Sequence, residues 1–281
     1  MDIQWPLVLF SLVAGTGGSL FAFVGLSELL GGSDKTRDAG AACSAVLLAL
    51  GGCLSVLHLA APLHAISAVT NLLSFSGISI ELMLLGANFA IMVAYLLVRR
   101  RSKATAPLRV LSVLGIVLGL MLGYFCGHGY VIEGQPTWNS ETLPLAYLGS
   151  SLACGAFLFA LISALKGEGD ELGGKLNAAV TIAAAVNAAG LASYCLFLGG
   201  NTTGHEAILW GGVVAIGAVA TLAVSVVALT KKASVSPAVL AGVGLACAFV
   251  GGVSVRVLMW VCSTGFIDLF SCTVPSVMLN L

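Results

Sequence analysis

An imidazole and a carboxylate stand at the facing ends of two consecutive apolar runs. His58 lies in LSVLHLAAPLHA, and Glu81 opens the next run in SGISIELMLLG. A neutral imidazole titrates near neutrality and accepts a proton from a hydroxyl. A carboxylate at a membrane edge can pass that proton on to water. The pair suits a donor that gives up two electrons and two protons at the interface while its tail stays in lipid, which describes a quinol. Ionisable side chains are costly in membrane-spanning segments, so two of them on neighbouring segments mark a candidate site.

Five other charged or titratable groups are weighed beside it. Arg256 falls about 19 residues into the last apolar run, which at 1.5 Å per residue puts it near the same edge. His64 follows His58 in the intervening connection, and His128 and His205 also lie at that edge. Glu28, close to the other end of the first run, is expected to be a solvated helix end. His58 and Glu81 are therefore the candidate catalytic pair, with His64 and Arg256 as weaker candidates for orienting a quinol headgroup.

The elements that must position these residues are membrane helices. The chain is 59% hydrophobic and 9% charged, with a mean hydropathy of +1.06. So little polar surface could not cover a soluble domain of this length. Eight stretches long enough to cross a bilayer are predicted, at roughly 6–31, 39–62, 78–98, 108–126, 143–165, 174–198, 207–229 and 237–262. The opening MDIQWPLVLF has neither a basic n-region nor a small-residue cleavage site, so it is expected to start a permanent helix with Trp5 at the interface. The fold class is an all-α integral membrane protein, an eight-helix transmembrane bundle forming a single polytopic domain over residues 1–281.

Charge orients the bundle. Lys35, Arg37, Arg99, Arg100, Arg101, Lys103, Arg109, Lys166, Lys175, Lys231 and Lys232 all fall in or beside alternate loops, and the loops between carry no Lys or Arg. The positive-inside rule then predicts that the basic side is cytoplasmic and both termini face outward, in a bacterial inner membrane. Residues 6–22 and 144–160 align without gaps at an offset of 138, matching Pro6 with Pro144, Gly17 with Gly155 and two Leu-Phe-Ala triplets. Parallel repeat halves, 1–138 and 139–281, are predicted on that basis. Under this offset His58 corresponds to Leu196, so the imidazole belongs to one half only.

Other chemistry is poorly supported. Net charge is zero, which gives no footprint for nucleic acid. The eight cysteines are scattered singly with no C-x-x-C, so no metal site or iron–sulfur cluster is expected in this chain, and with all four histidines at one edge no haem held by opposed axial histidines is expected either. Glycines at small-x-x-x-small spacings such as Gly115, Gly119 and Gly123 are assigned to close helix packing.

The chain resembles the DmsC family, the membrane anchor subunit of dimethyl sulfoxide reductase and related molybdoenzymes. The resemblance lies in W-P-L (5–7), LSVLHLAAPLHAISA (54–68), LLSFSGISIEL (72–82) and PTWN (136–139). It implies menaquinol oxidation in anaerobic respiration, with the histidine matching His58 and the glutamate matching Glu81 taking part. It further implies that electrons pass to a four-cluster ferredoxin-like iron–sulfur subunit docked on a molybdopterin catalytic subunit, with outer loops 63–77 and 127–142, including Tyr130 and Trp138, as the docking face. The family often has arginine where this chain has His64, and a basic residue where it has Ile80. Two rival readings are a secondary transporter, which would place ionisable groups at the midplane between repeats, and a passive scaffold without a quinol site.

Overall fold

The computed structural model describes residues 3–57, 74, 76–101, 105–168, 174–230 and 235–263. Eight helices long and apolar enough to cross a membrane are present among them: α1 (Trp5–Leu30), α2 (Asp34–Leu57), α3 (Gly77–Arg101), α4 (Thr105–His128), α5 (Thr142–Leu165), α6 (Lys175–Leu198), α7 (Ala207–Thr230) and α8 (Pro237–Val261). At 1.5 Å per residue, helices of 24 to 26 residues run about 36–39 Å, enough for a hydrocarbon core of about 30 Å. The chain is a multi-pass membrane protein of the all-α class.

Local chemistry sets the ends. Proline at the start of α1 and α8 suits a position whose N–H has no helical partner. Ser236 caps α8 by accepting from the Val239 amide at 3.4 Å. Gly31 ends α1 in the left-handed region (φ 76°), which turns its N–H back onto the last carbonyls. The wall α7 winds as a π-helix over Ala207–Ala220 before reverting to α over Thr221–Thr230.

α2 starts at Asp34, five residues before the expected 39. Its first turn is charged and so lies below any hydropathy threshold, yet its charges are partnered by neighbouring helices, as described below. Residues 58–62 of the expected segment lie outside the described residues.

The helices form two rings of four. In the first, α1 packs on α2 and α4, and α3 bridges α2 and α4; in the second, α5, α6, α7 and α8 repeat that pattern. The rings meet along α1 and α5, with α4 also packed along α5. α1 is the central element: 83% of its apolar window is buried, against 22% for α7 on the periphery. Close approach of α1 and α4 depends on glycine, since a Cβ on Gly119 would stand 2.3 Å from the Gly18 carbonyl oxygen.

Candidate functional site

Glu81 lies on the second turn of α3, at the end of the bundle opposite the basic loops. Ser76 starts that helix, its Oγ accepting from the Ser79 amide at 3.3 Å. The first turn of α3 rests on the residue after α4: a Cβ on Gly77 would stand 3.2 Å from Gly129 Cα, and one on Gly129 would stand 2.7 Å from Glu81 Oε1. Glycine at 129 is thus what leaves room for the carboxylate. Among the described residues, no hydrogen bond or ion pair reaches it.

Arg256, on α8, is fully buried. Its Nε donates to Ser11 Oγ of α1 at 2.8 Å, and its Nη1 to Ser150 Oγ of α5 and to the Gly252 carbonyl, both at 2.9 Å. The guanidinium carbon sits 4.0 Å from the centre of the Tyr147 ring. Nη2 has no hydrogen-bond partner among the described residues. The sequence reading put this arginine at the membrane edge. Its depth along α8 agrees, but it lies inside the packing where α1, α5 and α8 meet, pinning the two rings together.

Glu81 and Arg256 are not in contact; Arg256 reaches the neighbouring aromatic wall through the Tyr147 ring, which packs beside Tyr130. Tyr130 lies just past α4, edge-on to Trp138 (5.7 Å between ring centres) and Trp260 (6.2 Å), with Tyr147 at 5.9 Å. Burial pushes the Tyr130 phenol well above the usual tyrosine range, so it is a neutral hydroxyl at physiological pH. Around this aromatic wall, the Gln135 amide, Thr137 Oγ1 and Trp260 Nε1 are buried without hydrogen-bond partners among the described residues. Sequence reasoning passed over Gln135 and Trp260. A polar amide in the loop and an apolar residue at a helix end carry no signal of burial.

The connection between α4 and α5 is not free for docking along its whole length. Trp138 is buried, donating from Nε1 to the Met259 carbonyl at 2.9 Å, and Tyr194 of α6 donates to the Thr137 carbonyl at 3.1 Å. These bonds fasten the loop to α6 and α8. The expectation that Trp138 would face a partner is therefore corrected: the exposed residues of the connection include Ile132, Glu133, Gly134, Pro136 and Asn139, but not Trp138.

His58 and His64 lie outside the described residues, so the expected meeting of His58 with Glu81 has no geometry here. α2, which leads to His58, does pack against α3, which carries Glu81. His128 stacks on Tyr124 with ring centres 5.9 Å apart and lies 3.5 Å from Glu141. His205 is half-buried near the start of α7.

Glu28 overturns its expectation. It is nearly buried at the basic end, where Arg37 Nε and Arg99 Nη1 each stand 3.2 Å from Oε2 and the Tyr95 hydroxyl donates to it at 2.8 Å. Arg99 also reaches Asp38 at 2.5 Å and Asp34 at 3.2 Å, and Arg37 pairs with Asp34. The network ties α1, α2 and α3 together; it is not a solvated end. Among the described residues, no three His, Cys, Asp or Glu side chains are grouped to hold a metal ion.

Comparison with known proteins gives one family. The family model of the DMSO reductase anchor subunit (DmsC) matches residues 1–264. The anaerobic dimethyl sulfoxide reductase chain YnfH of Escherichia coli (strain K12) is 28% identical over 163 residues, 57% of this chain and 57% of that one. The match thus spans little more than half the relative's length.

Proposed function

The chain belongs to the DmsC family of DMSO reductase anchor subunits, and from that premise we propose that it oxidises menaquinol at the end of the bundle opposite the basic loops. The observation that carries the reading is the Glu81 carboxylate. It sits in a membrane-spanning helix, has no countercharge among the described residues, and occupies space that only a glycine at 129 leaves open. Such a group is costly to keep without a task.

In this reading the quinol headgroup lies against Glu81 and the Tyr130 side of the aromatic wall. His58 accepts a hydroxyl proton, and Glu81 takes protons onward to water. Two protons and two electrons leave each quinol, yielding quinone. The electrons pass to the ferredoxin-like iron–sulfur subunit and from there to a molybdopterin subunit. His64, and Arg256 by holding the Tyr147 ring beside Tyr130, orient the headgroup. With protons released on the side where electrons depart, turnover is electroneutral.

The test is a fluorescence titration of the assembled complex with a hydroxyquinoline N-oxide-type quinol analogue, repeated with His58→Ala and Glu81→Gln. Stoichiometric binding, lost in His58→Ala and retained in Glu81→Gln with turnover at least tenfold lower, is expected. Equal binding in wild type and His58→Ala would overturn the assignment of His58. Absence of binding in every form would leave the scaffold or transporter readings.

A further inference from the structure

The two rings do not meet symmetrically. α4 of the first ring packs along α5, but its counterpart α8 makes only slight contact with α1, and α2 approaches α5 instead. Where α8 stands away from α1, a cavity of about 440 Å³ remains. Its walls include Val13 and Thr16 of α1, Leu47 of α2, Leu158 of α5, and Gly242 and Phe249 of α8. That volume is in the range of ligand-binding pockets.

The cleft opens sideways. Phe249 on its wall is 41% exposed, and Val46 of α2, with Val243 and Val250 of α8, present further exposed apolar surface on the helices at its mouth. In a membrane-spanning chain that surface is continuous with the bilayer, so the medium at the mouth is hydrocarbon and not water. Gly242 and Phe249 lie 5 and 12 residues past Pro237, about 8 and 18 Å along α8 from its basic end. The cleft therefore begins in the leaflet next to the basic loops, and at Val13 and Thr16 of α1, about 12 and 17 Å from the opposite end of that helix, it extends past the midplane. Glu81 is at the opposite end, on α3, which does not line it.

Charge decides among lipids of that leaflet. The helices lining the cleft carry exposed Lys35 at the start of α2 and exposed Lys166 after the end of α5, and α8 begins there with its N-terminus. Basic ends of this kind, between membrane helices, recognise anionic headgroups, and the amides of a helix N-terminus add to that preference.

We propose that the cleft between the two rings is a binding site for an anionic glycerophospholipid, one acyl chain filling the space between α1, α2, α5 and α8 and the phosphate lying at the basic end. The lipid completes the interface that α8 leaves open on α1. Gly242 offers a direct test, because a Cβ added there meets nothing within 4 Å, so a larger side chain can grow into the cleft without displacing the protein.

The protein, solubilised from its own membrane in mild detergent with its partner subunits, would be analysed by native mass spectrometry. One tightly retained anionic phospholipid is expected on the wild type. Gly242→Phe should reduce retention at least tenfold with helicity by circular dichroism unchanged, and Gly242→Leu, a smaller filler, should reduce it by less. Lys35→Gln with Lys166→Gln should retain a lipid but lose the preference for anionic over zwitterionic headgroups. Equal retention in wild type and both Gly242 variants would overturn the proposal, as would a retained mass that proves to be an isoprenoid quinone. A retained zwitterionic lipid unaffected by the lysine changes would overturn the headgroup assignment.

Discussion

The Glu81 carboxylate occupies the place a side chain at position 129 would need: a Cβ on Gly129 would stand 2.7 Å from Oε1. Residues 48 apart in sequence thus share one space, and the loop glycine sets where the acid can stand. We expect Gly129→Ala to displace the carboxylate at a cost of about 1–2 kcal/mol, the scale of modest overpacking. Membrane levels should stay normal while quinol-dependent reduction falls several-fold. Unchanged turnover would show that the position of Glu81 does not matter.

Glu81→Gln keeps the shape and removes the ionisable group. Quinol oxidation by the complex should fall at least tenfold, with analogue affinity within about threefold of wild type, an effect on the scale of a lost general acid–base group. The pH profile of any residual rate should flatten. Loss of binding with no specific loss of rate would instead make Glu81 a binding group only.

Arg256 donates to Ser11 and Ser150 from inside the bundle. Hydrogen bonds to a charged group are worth about 1.5–3 kcal/mol each, so Ser11→Ala with Ser150→Ala should cost about 3 kcal/mol or more, read as thermal unfolding in detergent. Arg256→Met in the same background should recover part of that loss, because the desolvated donors go with it. An additive outcome would mean that the serines and the arginine are energetically independent.

At the basic end, Glu28→Ala would leave Arg37 and Arg99 buried against no central anion. Breaking a buried pair by removing one partner costs about 3–5 kcal/mol. Steady-state membrane abundance and resistance to limited proteolysis should both drop, while Lys166→Gln, on an exposed cation, should leave them unchanged. An undiminished Glu28→Ala protein would mean the three helices are held by apolar packing alone.

Hydropathy made the eight helices legible, because each is a long apolar run and nothing else in the chain competes with it. It missed the first turn of α2 because Asp34 and Asp38 look like loop residues until Arg99, more than sixty positions away, is known to be their partner. Glu28 was misread for the same reason. The depth of Arg256 was legible, since position along a helix is counted in residues; its enclosure by α1 and α5 was not, since that depends on which face of α8 turns inward. The contact of Gly129 with Glu81 left no trace, because a loop glycine looks the same whether or not an acid rests against it. His58 and His64, legible as candidates, lie outside the described residues.

The network around Glu28 also has a history in time. Arg37 and Arg99 belong to the set of cations from which the positive-inside rule reads orientation, yet in the finished bundle both are nearly buried against carboxylates. A charge can bias insertion only while it is unmasked. These arginines would therefore act first on the nascent chain, holding their segments back from translocation, and only later as fasteners between helices. Neutralising either one should harm biogenesis in two separable ways: inverted segments soon after synthesis, and loosened packing in the molecules that inserted correctly.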